Sequence, residues 1–319
     1  MSRTTPPRPF DVAAVFPELR EHAATVTRLH PRPGDPTAAD SSVGGPLLWP
    51  AAEPWPHCSD GEEHHADTLL TPGAIRHKRG NLTAARGRDL TDEERAGIPA
   101  WDYSEPERLL RQPVPMVPVL QLHRRDVPGF PGPDDCDLLQ VVWCPLDHPE
   151  DDFNPRPRVY WRRGADITDR LPAPPEPAVV ADRYLPLPCV LHPEQVVEYQ
   201  DKDLLPEDLA ARISDWEEET GADYFFDLAL APGWKVGGFP DWSVSGPQDV
   251  RCGECGSAMV LLLSVASGEW AAEGVSWRPV EDPPDAPCDP TEVVVGRASD
   301  LHIFRCPVSF GHPVATASQ

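Results

Sequence analysis

Proline most constrains how this chain can fold, because 42 of its 319 residues are proline. Each proline fixes φ and removes a backbone hydrogen-bond donor, so it interrupts a helix interior or a central strand. Short strands, strand edges and rigid loops tolerate it best. We therefore predict a mainly β protein of the α+β type with few helices. The chain is long enough to bury a sizeable core without disulfides.

Two segments carry helical signals despite the prolines. Asp11 can cap a short N-terminal helix that Pro17 ends or restarts. A second helix is predicted from about Pro206 to Thr220, where apolar residues share one face and Gly221 can close the end. Short apolar or alternating runs lie on both sides of this second segment. We therefore expect it to bridge two β-rich parts.

A short motif occurs twice, as VGGPLLW at residues 43–49 and as VGGFPDW at residues 236–242. Each copy is followed by a cysteine, by a strand that begins near a methionine, and by a strand that ends in Cys-Pro. These residues are Cys58, Met116 and Cys144 after the first copy and Cys252, Met259 and Cys306 after the second. The spacing differs, as it does when insertions fall in loops. The pattern predicts two internally duplicated, β-rich halves packed together.

The predicted duplication divides the chain into four ranges. They are 1–40 for the N-terminal helix and an extended arm, 41–199 for the first half, 200–235 for the bridging helix and a linker, and 236–319 for the second half. The first half contains a long polar insertion at about 59–113. Its one regular signal is a capping box at Thr91, which predicts a single short helix.

The second half contains a cysteine knuckle, RCGECGSAM. Two residues separate Cys252 from Cys255, so both thiolates can reach one ion, and the following glycine permits the tight turn. Cys306 would come from a neighbouring strand. His312 is our choice for the fourth ligand, which gives a structural zinc site.

Other interpretations of the knuckle stay open at this point. His302, which lies within a strand pattern, and Cys288 compete with His312 for the fourth position. Cys252 and Cys255 could also be two free thiols beside a turn. A thioredoxin-type redox role is less favoured, because the knuckle opens an apolar strand and not a helix.

Duplication predicts a second, weaker zinc site in the first half. Cys58, His64, Cys144 and His148 together have a tetrahedral ligand composition. His57 and His65 also stand near Cys58, and the segment WCPLDH could equally be a turn at a sheet edge with a solvated histidine. A site with four protein ligands leaves no position for water, so it would stabilise structure and not catalyse.

Charge and motifs limit the function classes. A formal net charge of -24 repels nucleic acid and anionic membranes, and it suits either simple solubility or a basic protein partner. The N-terminal segment lacks a signal-peptide pattern, so we expect a cytoplasmic protein with reduced thiols. The sequence contains no nucleophile elbow, phosphate-binding loop, dinucleotide fingerprint or His-Glu-x-x-His motif.

The segments SSVGGPLLWPAAEPWP, PVLQL, DLLQVVWCPLDH and KVGGFPDW, with the cysteine knuckle, resemble the YwqG-like family of bacterial proteins, in an actinobacterial branch. The resemblance covers most of the chain and implies a mainly β, internally duplicated fold. The chain departs from the pattern at Ser264, where the first copy has Gln121. It departs again at Ser309, where a second Cys-x-x-Cys is expected after Cys306.

A further resemblance covers about the C-terminal third. VGGFPDW, CGEC, MVLLLSV and LHIFRC are similar to the TYPP domain of programmed-cell-death-type proteins, which are chaperones for a ribosomal protein. It implies a scaffold that binds a basic protein client, which the acidic charge would suit.

Two functional hypotheses follow. The first is a zinc-stapled β-rich protein that binds another protein, such as a basic client or a toxin, with no catalytic residue assigned. The alternative is an enzyme or small-ligand-binding protein that uses a cleft between the halves, with Trp49 or Trp242 as an apolar wall. Convergent polar groups beside an open metal position would favour the alternative.

Overall fold

A computed structural model of the chain describes residues 2–58, 64–65, 69–85, 88–96, 112–270 and 272–318. Within these ranges, two six-stranded sheets and two two-stranded sheets contain all sixteen strands. The prediction of a mainly β protein with few helices is confirmed. The α-helices in this part of the chain are α1 Val12–Val15, α2 Pro72–Ala85, α3 Asp92–Ala96 and α4 Glu207–Thr220.

The strands are short, as the proline content predicts. They are β1 Ala23–Arg28, β2 Arg32–Pro33, β3 Ser42–Val43, β4 His57–Cys58, β5 Leu69–Leu70, β6 Val114–Pro115, β7 Val117–His123, β8 Leu138–Trp143, β9 Pro157–Arg162, β10 Val180–Ala181, β11 Cys189–Val190, β12 Glu194–Tyr199, β13 Lys235–Val236, β14 Val260–Ala266, β15 Asp300–Arg305 and β16 Ala315–Ser318.

Two large antiparallel sheets form the body of the protein. The first sheet has the order β2-β11-β3-β7-β8-β9 and the second has the order β12-β1-β13-β14-β15-β16. Successive residues of a strand point to opposite faces. Val141 and Ile303 accordingly lie in one core shared by both sheets, whereas Val142 and Phe304 pack in separate clusters on the other faces.

The central strands of the two sheets pair in the same register. The aligned triples are Val43–Leu120–Val141 in the first sheet and Val236–Leu263–Ile303 in the second. A bulge at Val119 interrupts the pairing of β7 with β8, and a bulge at Leu262 interrupts the pairing of β14 with β15. Each bulge lies one residue before the aligned leucine of its sheet. The two sheets therefore share strand order, direction, register and bulge position over these strands.

In both sheets, the first glycine of the repeated pair forms a hydrogen bond to the bulge of the neighbouring strand. Gly44 donates its N–H to the carbonyl of bulge residue Val119 at 2.8 Å, and Gly237 donates to Leu262 at 3.2 Å. Both glycines have positive φ, 63° and 73°. A Cβ at Gly44 would lie 2.9 Å from the carbonyl oxygen of Pro186. Close backbone approach and left-handed geometry together require glycine there.

Two strands with similar flanking sequence, β1 and β11, lie in different sheets. β1 lies near the N-terminus but pairs with β13 in the second sheet, and β11 pairs with β3 in the first sheet. The same tripeptide, Leu-His-Pro, follows each of these strands, at residues 29–31 and 191–193. The two segments meet where the His192 N–H donates to the Leu29 carbonyl at 2.9 Å. The predicted extended arm is therefore partly a strand, and the range 1–40 contributes to the second sheet.

The two predicted helices and the capping box are confirmed. Asp11 caps α1, which stops before Pro17, and Gly221 closes α4 with a φ of 71°. In the insertion, the Thr91 hydroxyl accepts from the Glu94 N–H at 3.1 Å, and the Glu94 carboxylate accepts from the Thr91 N–H at 2.8 Å. The insertion also contains helix α2, which the sequence analysis missed. Much of the range 59–113, including 97–111, lies outside the described residues.

The sequence predicts strands at VSWRPV, residues 275–280, and at EVVVGR, residues 292–297, but neither run is a strand. The first begins in a 3₁₀ helix, Ala272–Trp277, and the second contains only a single bridge, from Val295 to Ser299. The indole N–H of Trp277 donates to the Phe226 carbonyl at 2.7 Å, which anchors the turn. Within the described ranges, every helix is too short or too polar to cross a membrane.

Candidate metal centres

The first cluster consists of Cys58, His64, Cys144 and His148, and all four residues are buried. Cys58 ends β4 and Cys144 directly follows β8, while the histidines lie in the loops after them. The His64 Nε2 lies 3.3 Å from the Cys58 Sγ and 3.6 Å from the Cys144 Sγ. The His148 Nε2 lies 3.7 Å from the Cys58 Sγ. The structure thus brings together the four residues predicted for the first half.

The second cluster consists of Cys252, Cys255, Cys306 and His312. Cys252 and Cys306 are buried, His312 is partly exposed and Cys255 is exposed. The Cys252 Sγ lies 3.4 Å from the His312 Nδ1, and the Cys255 Sγ lies 3.5 Å from the Cys306 Sγ. The four residues predicted for the second half, including His312 as the fourth ligand, are therefore close together.

The separations in both clusters match a tetrahedral ion. For zinc bonded to sulfur and nitrogen at about 2.3 and 2.0 Å, neighbouring ligand atoms of a tetrahedron lie roughly 3.3–3.8 Å apart. The candidate ligand atoms of each cluster all lie within 4.8 Å of one another. The residues present in each cluster therefore fit one four-coordinate cation, with small adjustments of the side chains.

Two ligands of each cluster occupy equivalent positions in their sheets. Cys144 lies three residues after the paired Val141, and Cys306 lies three residues after the paired Ile303. The other pair is Cys58 and Cys252. Cys58 lies two residues after Pro56, whose carbonyl accepts from the Met116 N–H. Cys252 lies two residues after Val250, whose carbonyl accepts from the Met259 N–H. The shared register of the sheets therefore places the cysteine pairs, whereas the remaining ligands come from loops.

Asp147 fixes the loop of the first cluster. Its backbone exchanges two hydrogen bonds with His65, at 3.0 and 2.9 Å, so the neighbours of both ligand histidines are tied together. Its buried carboxylate accepts from Arg183 at 2.6 Å and from the Tyr184 hydroxyl at 2.6 Å. No local sequence signal marks this anchor, because Arg183 and Tyr184 lie far along the chain from Asp147.

The knuckle of the second cluster is held by its own turn. The Gly256 N–H donates to the Cys252 carbonyl at 2.8 Å, and Gly256 has a positive φ of 70°. The Cys252 N–H donates to the Ser257 carbonyl at 3.0 Å. This local turn places Cys255 on the surface, where its thiol lies 3.4 Å from the Ser257 hydroxyl.

The thiols of the two clusters differ in acidity. A hydrogen bond with Cys144 and burial raise the pKa of Cys58 to about 12. Hydrogen bonds from the Ser257 side chain and backbone, followed by one with Cys306, lower the pKa of Cys255 to about 6. Burial raises the pKa of Cys306. A divalent cation binds thiolates, so Cys58 would have to release a more tightly held proton than Cys255 to serve as a ligand.

The competing candidates lie elsewhere. The His302 Nδ1 lies 3.0 Å from the Ser264 hydroxyl and its Nε2 lies 3.0 Å from the Asp241 carbonyl, so it lies on the outer face of the second sheet, away from the cluster. Cys288 is outside the second cluster, and its carbonyl accepts from the Glu269 N–H. His57 is exposed and contacts the Trp55 carbonyl at 2.9 Å.

The tryptophans beside the glycine pairs differ in their surroundings. Trp49 is buried, with the Arg162 guanidinium 4.3 Å from its ring centroid, so it offers no wall to a cleft. Trp242 is also largely buried but lines a small surface pocket of about 230 Å³. Matching concavities beside the two glycine pairs are therefore not formed.

The comparison with protein-family models and the comparison with curated proteins both give no match. The geometry of the clusters therefore carries the functional argument.

Proposed function

We propose that the chain is a protein-binding β scaffold in which each large sheet is locked by one structural zinc ion. The observation that carries this proposal is the placement of two four-residue Cys/His clusters at equivalent positions of two sheets with the same register. Cys₂His₂ and Cys₃His are the ligand sets of structural zinc. Thiolate and imidazole together select zinc over the hard cations calcium and magnesium.

A structural role is favoured over catalysis because of coordination. Each cluster supplies four protein side chains, which fill a tetrahedral shell and leave no position for a reacting water or substrate. The ions would join distant segments of chain: Cys58 to Cys144 in the first cluster, and Cys252 to Cys306 in the second. Such links contribute directly to folding free energy, because the unfolded chain does not hold the ligands together.

We also propose that the halves are two copies of one ancestral unit. Strand order, register, bulge, glycine pair and cysteine pair agree between the sheets, and a Leu-His-Pro tripeptide follows both β1 and β11. Shared β-sheet geometry alone does not require a cysteine or a Leu-His-Pro tripeptide at matching places. Membership of the YwqG-like family would account for this arrangement and stays part of the proposal.

The partner we propose is a basic protein, as the resemblance to the TYPP domain implies. The net charge of -24 favours association with a cationic surface. The Trp242 pocket supports this choice, because Phe225, Asp201 and Asp203 also line it. Burial raises the pKa of Asp201, and an approaching lysine or arginine would offset that cost of desolvation.

Zinc content tests the scaffold part of the proposal. Elemental analysis of protein purified without added metal should give two zinc ions per chain. Cys58→Ser and Cys252→Ser should each retain one. Folded wild-type protein without zinc would refute the proposal, whereas one ion lost only from Cys252→Ser would confine it to the second half.

Binding of a labelled lysine- and arginine-rich peptide tests the partner part. Binding should weaken as salt rises and should weaken further in Asp203→Lys. Asp285→Lys is the matched control, because it changes the net charge by the same amount. Asp285 is exposed and lies outside the pocket. Equal losses in both variants would place the contact elsewhere, and no binding at low salt would refute a basic partner.

A further inference from the structure

A groove of the described residues runs between the outermost strands of the two large sheets. It has a volume of about 750 Å³ and lies between β9 and the segment that leads into β16. Its apolar wall includes Trp161 and Phe310, whose rings meet edge to face with centroids 5.2 Å apart. Val159 and Val314 also line it. The groove is therefore open to solvent, apolar along its walls and flanked by two sheet edges.

Both flanking strands have free backbone edges. Within the described ranges, β9 pairs only with β8, and β16 pairs only with β15. The Cys144 N–H donates to the Arg156 carbonyl at 3.0 Å, which shows that even-numbered residues of this segment direct their backbone groups toward β8. By the alternation of an antiparallel ladder, Val159 and Trp161 direct theirs outward. Such an edge can accept one further strand.

Arg305 lies at this groove without an ion-pair partner among the described residues. Its guanidinium stacks on Phe310 at 4.7 Å, and its Nη1 donates to the Cys306 carbonyl at 3.3 Å. The Nε is buried and has no hydrogen-bond partner, and the ion pairs formed among the described residues do not include Arg305. A carboxylate is the partner that a planar guanidinium binds best.

Other charges of the groove are already paired or face solvent. Asp151 accepts from Arg156 at 2.7 Å, so this carboxylate is already paired. Arg158 is partly exposed. The groove therefore has a positive lining in a chain whose net charge is -24. A strongly acidic segment would be repelled at long range, whereas a segment with one carboxylate would not.

We infer that this groove binds an extended segment of a partner protein, which adds to β9 as a strand and places one carboxylate on Arg305. The outward N–H and C=O groups of Val159 and Trp161 would supply the backbone hydrogen bonds. Apolar side chains on one face of the segment would pack against Trp161 and Phe310. The inference goes beyond the proposed function, because it concerns an extended segment bound by β9 and not a basic partner; His312 of the second cluster also lines the groove.

The test uses a dye-labelled peptide, Thr-Val-Thr-Glu-Thr-Val-Thr with blocked termini, and fluorescence anisotropy on the full chain. The wild-type protein should bind it, and the version with Gln in place of Glu should bind at least about 10-fold more weakly. A version without the Glu but with a free C-terminal carboxylate distinguishes a chain end from an acidic side chain. Binding of either carboxylate form supports the inference. Equal binding of the Gln peptide, or binding of none, overturns it.

Two variants of one residue separate strand addition from other modes. Val159→Pro removes an outward N–H without breaking a hydrogen bond to β8, so the fold should persist while peptide binding falls at least about 10-fold. Val159→Ala removes most of the side chain but keeps the N–H, and should bind within about 3-fold of the wild type. Equal affinity of the two variants would refute strand addition.

Arg305→Gln tests the charge. It should reduce binding of the Glu peptide to that of the Gln peptide and leave binding of the Gln peptide unchanged. Because Arg305 adjoins Cys306, the zinc content of this variant is measured in parallel. Unchanged selectivity for Glu over Gln in a variant that keeps its zinc would refute the role of Arg305. Full competition by acetate alone would refute recognition of a peptide.

Discussion

The two clusters share a position in the fold but differ in their exposure. All four residues of the first cluster are buried, whereas Cys255 of the second is exposed and His312 is partly exposed. The cysteines that follow paired strands agree between the halves, and the loop ligands do not: His64 in the first half stands where the second half uses Cys255. Sheet register thus fixes half of each site, and local turns decide how well water reaches the rest.

On the outer faces of the two sheets, equivalent positions are likewise occupied by chemically different side chains. In the first sheet, Gln140 donates to the Gln121 side chain at 2.9 Å and to the Leu48 carbonyl at 2.8 Å. In the second sheet, His302 occupies the corresponding place and contacts Ser264 and the Asp241 carbonyl. Neutral amides in one half are therefore replaced by a titratable ring in the other.

The largest expected effect comes from removing a ligand of the buried cluster. Cys58→Ser should lose its ion and lower the free energy of unfolding by at least about 4 kcal/mol, because the remaining buried ligands cannot be satisfied by water. Cys255→Ser should cost about half as much, since water can reach that position. Chemical denaturation with parallel zinc analysis measures both. Equal losses would show that exposure does not distinguish the clusters.

A buried ion pair of the second sheet gives the next effect. Lys235 and Glu198 are both buried and their side chains are joined at 2.5 Å. Lys235→Ala leaves Glu198 uncompensated and should cost about 3–5 kcal/mol. The corresponding residue of the first sheet is Ser42, whose hydroxyl is buried without a partner, so Ser42→Ala should change stability by less than about 0.5 kcal/mol. Similar costs measured by urea unfolding would contradict this contrast.

His302 makes the second sheet sensitive to acid. Burial lowers its pKa to about 4, so protonation favours the unfolded chain, whose imidazole has a pKa near 6.5. Stability is therefore full above pH 6.5 and falls as the pH drops toward 4, by about 2 kcal/mol at pH 5. His302→Gln copies Gln140 and should flatten this part of the profile of stability against pH. An unchanged slope would show that His302 is not the responsible group.

The smallest effect is kinetic. Metal-free protein treated briefly with iodoacetamide should be alkylated first at Cys255, because that thiol is exposed and its pKa is lowered to about 6. Cys58, which is buried with a pKa raised to about 12, should react only on unfolding. Peptide mass spectrometry identifies the modified thiol. Comparable early labelling at Cys58 would remove the proposed difference in access.

The parts of the fold that the sequence revealed were those fixed by local chemistry. Gly221 marked the end of α4, Thr91 marked α3, and the glycine pairs marked two bulged strand contacts. Helix α2 was missed because Gly73 and Gly80 weaken its helical pattern, although Thr71 and Pro72 form a usable start signal: the Thr71 hydroxyl accepts from the Ala74 N–H at 3.1 Å.

The parts that the sequence concealed depend on contacts between distant segments. The placement of β1 and β11 in different sheets follows from pairing across the whole chain, and the repeated Leu-His-Pro tripeptide was the signal that could have related the two strands. Knuckle spacing predicted the grouping of Cys252 with Cys255, whereas the choice of His312 as the fourth ligand had competitors in His302 and Cys288. The unpaired Arg305 was not predictable, because nothing local distinguishes it from other arginines.

Anomalous diffraction measured above and below the zinc absorption edge tests the central claim most directly. Two peaks that vanish below the edge are predicted, one within bonding distance of Cys58, His64, Cys144 and His148, and one within bonding distance of Cys252, Cys255, Cys306 and His312. Crystals of folded protein in which both clusters lack a zinc peak would contradict the account, because its two sheets would then be held by packing and hydrogen bonds alone.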